Sequence, residues 1–405
     1  MRFILLGLAL FTSEFTLSQS KIYTWRAINL GIAPGLSTNG IHPKNFANKI
    51  SINLFAGYSA ALSGVELSGI SSFHSYSSSG IQISGIANTV GGNRKDLKEY
   101  TESDLSNLTS NYHGMQISGA VNTVTGSVIG IQIGGMTNLI FRGHGSGMQI
   151  AGFVNYVDGY LEGVQVSSLI NVSKKHITGA QISMLLNSTE GEVYGVQLGA
   201  WNSASTLYGP KSEAALGAGI QFGAINISRQ IMDGYQVGLL NYGASSRGFQ
   251  LGIVNINHKT DGYPVALLNI GKGRMGMKVT ADNISKVNIH LLTGSKKLTN
   301  TLLLGFEVGQ NKKDAFVLGY SLGKTKHLRK GRIFTHHELM FRSMSISFKT
   351  FEFLPILSAN SSLAFHIRGG IYASLGAGIN YDVKDYFISR NAWFPSVIIG
   401  VAALE

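Results

Sequence analysis

The chain has no cysteine, so none of its 405 residues can form a disulfide framework or a thiolate metal site. A protein of this size without disulfides is unlike a small stapled extracellular domain and is compatible with a bacterial envelope protein. Charged side chains are only 13% of the residues, where about a quarter is usual for soluble domains. The hydrophobic fraction is 44%, yet no internal run approaches the roughly 20 apolar residues that a membrane helix requires. If the chain spans a membrane, it must therefore do so as a closed β-barrel, the other structure that satisfies every backbone group in lipid. The net charge of +12 is spread over loop-like segments and is densest from Lys324 to Arg332. No nucleic-acid-binding motif or basic helix accompanies it, so nucleic acid is not an expected partner. Anionic lipid headgroups or surface polysaccharide are the simpler destination.

Glycine, by contrast, is abundant at 51 residues, and it is placed regularly. A nine-residue phrase returns from Gly114 to Asn187 as GMQISGAVN, GIQIGGMTN, GMQIAGFVN, GVQVSSLIN and GAQISMLLN, at intervals of 16, 17, 16 and 16 residues. This is an internal repeat. Earlier copies begin at Gly80 (GIQISGIAN) and Gly64 (GVELSGISS), and an eight-residue form follows at Gly195, Gly219, Gly234, Gly248 and Gly262. Alternation along GMQISGAVN sends Met115, Ile117 and Val121 to one face and Gln116, Ser118 and Asn122 to the other. The shorter copies lack one residue, which on a single strand would flip Asn202, Asn226, Asn241 and Asn255 to the opposite face. A β-bulge in the long copies would absorb the difference.

Around the repeats, residues 1 to 20 combine Arg2, the apolar stretch Phe3 to Phe11 and a polar exit, which reads as a secretory signal. Residues 21 to 79 contain strand-like segments such as KISINLFAGYS, with alternating faces. The repeats occupy residues 80 to 271, interrupted by a polar insertion from Gly92 to Asn111 that reads as an exposed loop. Residues 272 to 405 lose the period but continue as strand-like segments of about 9 to 11 residues, the length of a tilted membrane strand. Aromatics recur near segment ends, among them Tyr381, Tyr386, Phe387, Trp393 and Phe394, as an interfacial girdle would require.

All-β structure follows, and two arrangements fit the repeat. In the first, each unit is one strand and one turn of an antiparallel β-meander that closes as an outer-membrane β-barrel, apolar face outward. In the second, each unit is one coil of a β-solenoid whose Asn and Gln side chains stack into ladders, followed by a C-terminal β-sheet or small barrel. The first is preferred, because N-terminal, repeat and C-terminal segments then form one sheet.

The phrase G-x-Q-[IV]-x-G-x-x-N, the lead-in SINLFAGYSAALSGVELSGIS and the closing GFQLGIVNINHKTDGYPVALLN resemble a family of surface-repeat proteins from the envelopes of diderm bacteria, over roughly Ile50 to Gly271. The resemblance implies an exported outer-membrane or cell-surface protein, mostly without an assigned activity. The closing Ala402-Ala403-Leu404-Glu405 departs from the terminal aromatic that outer-membrane barrels tend to carry.

Candidate chemistry is sparse. Gly319 to Thr325 (GYSLGKT) has three residues between its glycines where a phosphate loop requires four. Thr335-His336-His337-Glu338 is the densest group of ligand-type side chains, but its spacing is not that of a zinc protease helix. An outer-membrane hydrolase built on His336, Glu338 and a Ser is a distant alternative. The Asn-x-Ser/Thr triplets at Asn171, Asn187 and Asn226 follow from repeat composition. Gln82, Gln116, Gln132, Gln149, Gln165, Gln181, Gln197, Gln221, Gln236 and Gln250 are candidates to line a polar channel or bind sugars, or else to hydrogen-bond across strands. The expected function is a non-enzymatic outer-membrane or cell-surface protein, structural or pore-like. No catalytic, metal or cofactor site is expected. The expected partners are outer-membrane lipid and, through loops, surface polysaccharide or a partner protein. A surface solenoid that binds a protein or polysaccharide is the alternative.

Overall fold

The segments rich in β-branched residues and punctuated by Gly, Ser and Asn all become strands in the computed structural model, which describes residues 23–91, 110–209, 218–272, 274–306, 316–329, 332–345, 354–383 and 393–404. The signal-like start, residues 92–109 of the polar insertion, and Tyr386 and Phe387 lie outside these residues. The chain divides into two compact units, Met1–Ala151 and Gly152–Glu405.

In the first unit each repeat forms two strands joined by a tight corner. Val128–Gly134, for example, is followed by Thr137–Ile140. Equivalent strands of successive coils pair in parallel and in register: Gly130 faces Gly114 on one side and Gly147 on the other, and Gln132 faces Gln116 and Gln149. The same pairing reaches upstream to Ala61–Ser68 and Phe46–Asn53, and it ends at Thr24–Ala33. The second unit begins with coils of the same design, from Val154–Val157 and Leu161–Ser167 to Tyr263–Lys272, again parallel and in register.

The class is all-β, and the repeat takes the second arrangement, a β-solenoid followed by a small barrel. The antiparallel meander does not hold for the repeats. Their ladders are parallel because each 14 to 17 residue unit is spent on two short strands and two corners rather than on one long strand and a turn.

The bulge expected in the long copies is likewise replaced by a corner. Gln and Asn lie on different strands, and the shorter copies lose their residue at the corner between them, as in Ile220–Phe222 and Ile225–Met232. Asn202, Asn226, Asn241 and Asn255 therefore stay buried, like Asn122 and Asn138.

Glycine leads each long copy for a backbone reason. Gly130 has φ +136°, and a Cβ built there would lie 2.0 Å from the carbonyl oxygen of Gly114 in the coil before.

The second unit closes with eight antiparallel strands that form a barrel: Arg274–Ala281, Val287–Gly294, Thr299–Phe306, Phe316–Arg329, Ile333–Ser345, Leu354–Arg368, Ile371–Asp382 and Trp393–Leu404. Closure is made by the first strand pairing with the eighth, Val279 opposite Val401. Here the period-2 pattern has a fixed sense. Lys278, Thr280, Asn288, His290, Glu338, Arg342, Asn360 and Asn380 are buried inward, while Met277, Val279, Leu339, Leu375, Val397 and Ile399 stand exposed outside. The last solenoid strand packs on the outer wall of this barrel. Asn300 donates from Nδ2 to the Pro264 carbonyl at 2.6 Å, Ser295 Oγ donates to the Gly262 carbonyl at 2.6 Å, and Tyr320 OH donates to the Ala266 carbonyl at 3.3 Å.

Candidate functional site: polar ladders and a filled lumen

The solenoid core is unusual in what it buries. Its apolar part is a rail at one end of each coil, including Val90, Val124 and Ile140 in the first unit and Leu161, Ile177 and Val193 in the second. The other end is amide. All ten repeat glutamines are 0–3% exposed. Gln116 Nε2 donates to Gln82 Oε1 at 2.8 Å, Gln132 to Gln116 at 2.8 Å and Gln149 to Gln132 at 2.7 Å. In the second unit Gln181, Gln197, Gln221, Gln236 and Gln250 each donate to the glutamine of the preceding coil at 2.8 Å, starting from Gln165. Parallel strands lie about 4.8 Å apart, a repeat that suits amide-to-amide bonding between identical side chains. The glutamines thus line no channel and reach no sugar; they hydrogen-bond from coil to coil.

The asparagines form a second ladder with the opposite polarity, each donating to the coil that follows: Asn122 to Asn138 at 2.8 Å, Asn171 to Asn187 at 3.0 Å and Asn241 to Asn255 at 2.9 Å. Each Nδ2 also holds a corner carbonyl of the next coil, such as Asn122 on Ile133 O at 2.8 Å and Asn187 on Leu198 O at 2.8 Å. Without that donor the corner carbonyl would lose its side-chain partner. Because the two ladders point opposite ways, their stacked side-chain dipoles oppose each other. Asn171, Asn187 and Asn226 are fully buried in this ladder, so their triplets offer no accessible acceptor for a glycan.

The ladders have chemical ends. Glu66 occupies the slot of Gln82, and Pro264 the slot of Gln250. A carboxylate has no N–H to pass on, so the first coil binds it differently: Asn53 Nδ2 donates to Glu66 Oε1 at 2.9 Å, and His74 Nε2 lies 2.5 Å from Oε2. His74 in turn pairs through Nδ1 with Ser59 Oγ at 2.8 Å. Burial alone would raise the Glu66 pKa, but the His74 charge and the Ser68 and Ser72 hydroxyls outweigh it and hold the carboxyl below its ordinary range.

Among the described residues, side chains pack the barrel lumen. Arg342, 1% exposed, meets Asp282 at 2.6 Å, and Asp282 also accepts from the Ile284 and Ser285 amides at 2.8 and 2.9 Å. Ile284, Met340, Met344, Val317 and Phe394 pack beside this pair. Further along, Ser321 Oγ donates to Glu338 Oε2 at 2.7 Å, His336 Nε2 lies 3.5 Å from the same oxygen, and Thr325 Oγ1 pairs with His336 Nδ1 at 3.0 Å. The space left between Lys278, Thr325, His336 and Ser374 is about 20 Å³, enough for one water.

His336 and Glu338 thus share the inward face, as their spacing requires, and His337 points outward to Ser361 at 2.9 Å. Ser321 approaches the Glu338 carboxylate rather than an imidazole, and the hydroxyl beside His336 is that of Thr325. Gly319–Thr325 lies within one barrel strand and forms no phosphate loop. Among the described residues no cluster of three or more His, Asp or Glu could hold a metal ion.

Lys278, Asp282, His290, Arg342, Glu66 and His74 were not singled out from sequence. For Lys278 and Arg342 the available signal was a lone charge at the inward step of an otherwise apolar alternation. A scan against protein-family models, a search of curated proteins and a search of solved structures find no match for this chain.

Proposed function

We propose that the chain is a non-enzymatic outer-membrane protein in which the eight-stranded barrel is a lipid-embedded anchor and the solenoid is the module it holds. The observation that carries this reading is the sense of the barrel's alternation. Outward positions on the first, fifth, seventh and eighth strands are largely apolar: Met277 is 55% exposed, Leu339 71%, Leu375 57% and Ile399 62%. Inward positions hold ions and amides beside an apolar cluster that includes Met340 and Ile356. A water-soluble barrel would place these classes the other way round, whereas lipid requires this one. Trp393 and Tyr381, with ring centroids 4.8 Å apart, sit at one edge of the apolar band, where an interfacial aromatic belongs. The filled lumen favours an anchor over a conduit.

The structural role of the solenoid has support in its buried amide core. A second reading, in which the solenoid also docks a partner protein or polysaccharide, is favoured by its exposed apolar flank, with Met184 at 71%, Leu239 at 58% and Leu185 at 53% exposure. The test is heat-modifiable gel migration of the detergent-extracted protein together with cell fractionation. Faster migration of unheated samples and recovery in the outer-membrane fraction are expected. Recovery as a soluble protein with no heat-modifiable band would overturn the reading.

A further inference from the structure

Where the last solenoid coil meets the outer wall of the barrel, the structure leaves an open groove of about 470 Å³. Its floor is apolar: Leu322 and Leu339 from the fourth and fifth barrel strands, both exposed, with Tyr263 of the last coil as a side wall. Its rim is basic. Lys297, in the turn between the second and third barrel strands, stands over the Tyr263 ring at 5.3 Å, and Lys324 and His337 lie opposite each other on paired strands. All three side chains are exposed. Glu338 reaches this wall only through its backbone, since its side chain is turned inward to Ser321 and His336.

An apolar floor under a rim with two lysines is the complement of an acyl chain beneath a phosphate. We infer that this groove binds an anionic glycerophospholipid, with the acyl chain on Leu322 and Leu339 and the headgroup phosphate between Lys297 and Lys324. The inference rests on the membrane-anchor reading above.

The test uses the full chain reconstituted in phosphatidylcholine vesicles containing a minor fraction of fluorescent phosphatidylglycerol, and it reads phosphatidylglycerol retained per protein after detergent exchange. The double variant Lys297→Gln, Lys324→Gln should lower the preference for phosphatidylglycerol over phosphatidylcholine by roughly 30-fold, two charges' worth at a membrane surface. Raising salt from about 0.05 M to about 0.5 M should collapse the preference of the unaltered protein in the same direction, with no variant needed. Heat-modifiable migration is scored on the same samples. Loss of that band in the unaltered protein would sink the anchor reading itself. An intact band with unchanged phosphatidylglycerol preference in the variant, or in high salt, would overturn the groove alone. Stronger retention of lipopolysaccharide than of phosphatidylglycerol would overturn the assigned occupant, and the proposal with it.

Discussion

Replacing Asn187 by Ala tests the amide ladder where it is most tightly used. Asn187 Nδ2 donates to Leu198 O at 2.8 Å and to Asn202 Oδ1 at 2.9 Å, and its own Oδ1 accepts from Asn171 at 3.0 Å. The truncation leaves two acceptors on one side and a donor on the other without this partner; Asn171, Asn187 and Asn202 are fully buried, and Leu198 is 41% exposed. A buried polar group stripped of its partner costs about 1–3 kcal/mol, and relaxation at the corner recovers part of that sum. The expected cost is about 3 kcal/mol, equivalent to roughly 150-fold faster local opening. Hydrogen exchange of the full chain reads this directly in the amides of Ile177–Ser183 and Glu192–Leu198, the strands flanking the altered corner. The control is Met184→Ala, a side chain 71% exposed on the neighbouring corner, for which almost no change is expected. If Asn187→Ala opened no faster than the Met184→Ala control, the ladder would be decoration and the account of the core would be wrong.

Other consequences are independent of that one. Gly130→Ala should destabilise its coil by about 3 kcal/mol or more, since the new methyl meets the Gly114 carbonyl at 2.0 Å on a backbone with φ +136°; local exchange in Val128–Gly134 is the readout. Because the folded-state pKa of Glu66 is depressed, its contribution is present above the unfolded value of about 4.3 and is lost as pH falls toward the folded one. An acid titration of stability should therefore be shallower in Glu66→Gln than in the unaltered protein, and identical slopes would contradict the pairing with His74. Arg342→Met should cost about 3–5 kcal/mol by stranding buried Asp282, and adding Asp282→Asn should recover much of the loss; the temperature at which the heat-modifiable band disappears measures both.

Much of this architecture is legible in the sequence, and the part that is not has a definite physical origin. The period, the glycine at its head and the two faces of GIQIGGMTN are all real: Gln132 and Asn138 are buried, and Met136 is exposed. What alternation cannot encode is the direction of the neighbouring strand. Polar-inside with apolar-outside describes the wall of a lipid-embedded barrel and equally a solenoid coil cored by amides, so both arrangements fitted the same residues. The deciding feature was the corner at Gly135 and Met136, which puts Gln132 and Asn138 on separate strands; in sequence it looks like two more strand residues. In the barrel the converse holds. Long alternating runs such as Leu354–Arg368 leave room for only one strand each, and the shared inward face of His336 and Glu338 follows from spacing alone. Asp282 and Arg342, 60 positions apart, meet only because the first turn folds back into the lumen, and no local pattern announces that.

The central claim is that the barrel's outer wall meets lipid, and the absence of native cysteine makes it directly measurable with single spin labels. Labels at Val397, Ile399 and Val401, all more than half exposed on the eighth strand, are compared in vesicles with labels at the inward positions Ser396 and Ala402. Oxygen should relax the outward labels efficiently while a water-soluble nickel reagent does not. Ready access of the nickel reagent to Ile399 would place the wall in water and contradict the account.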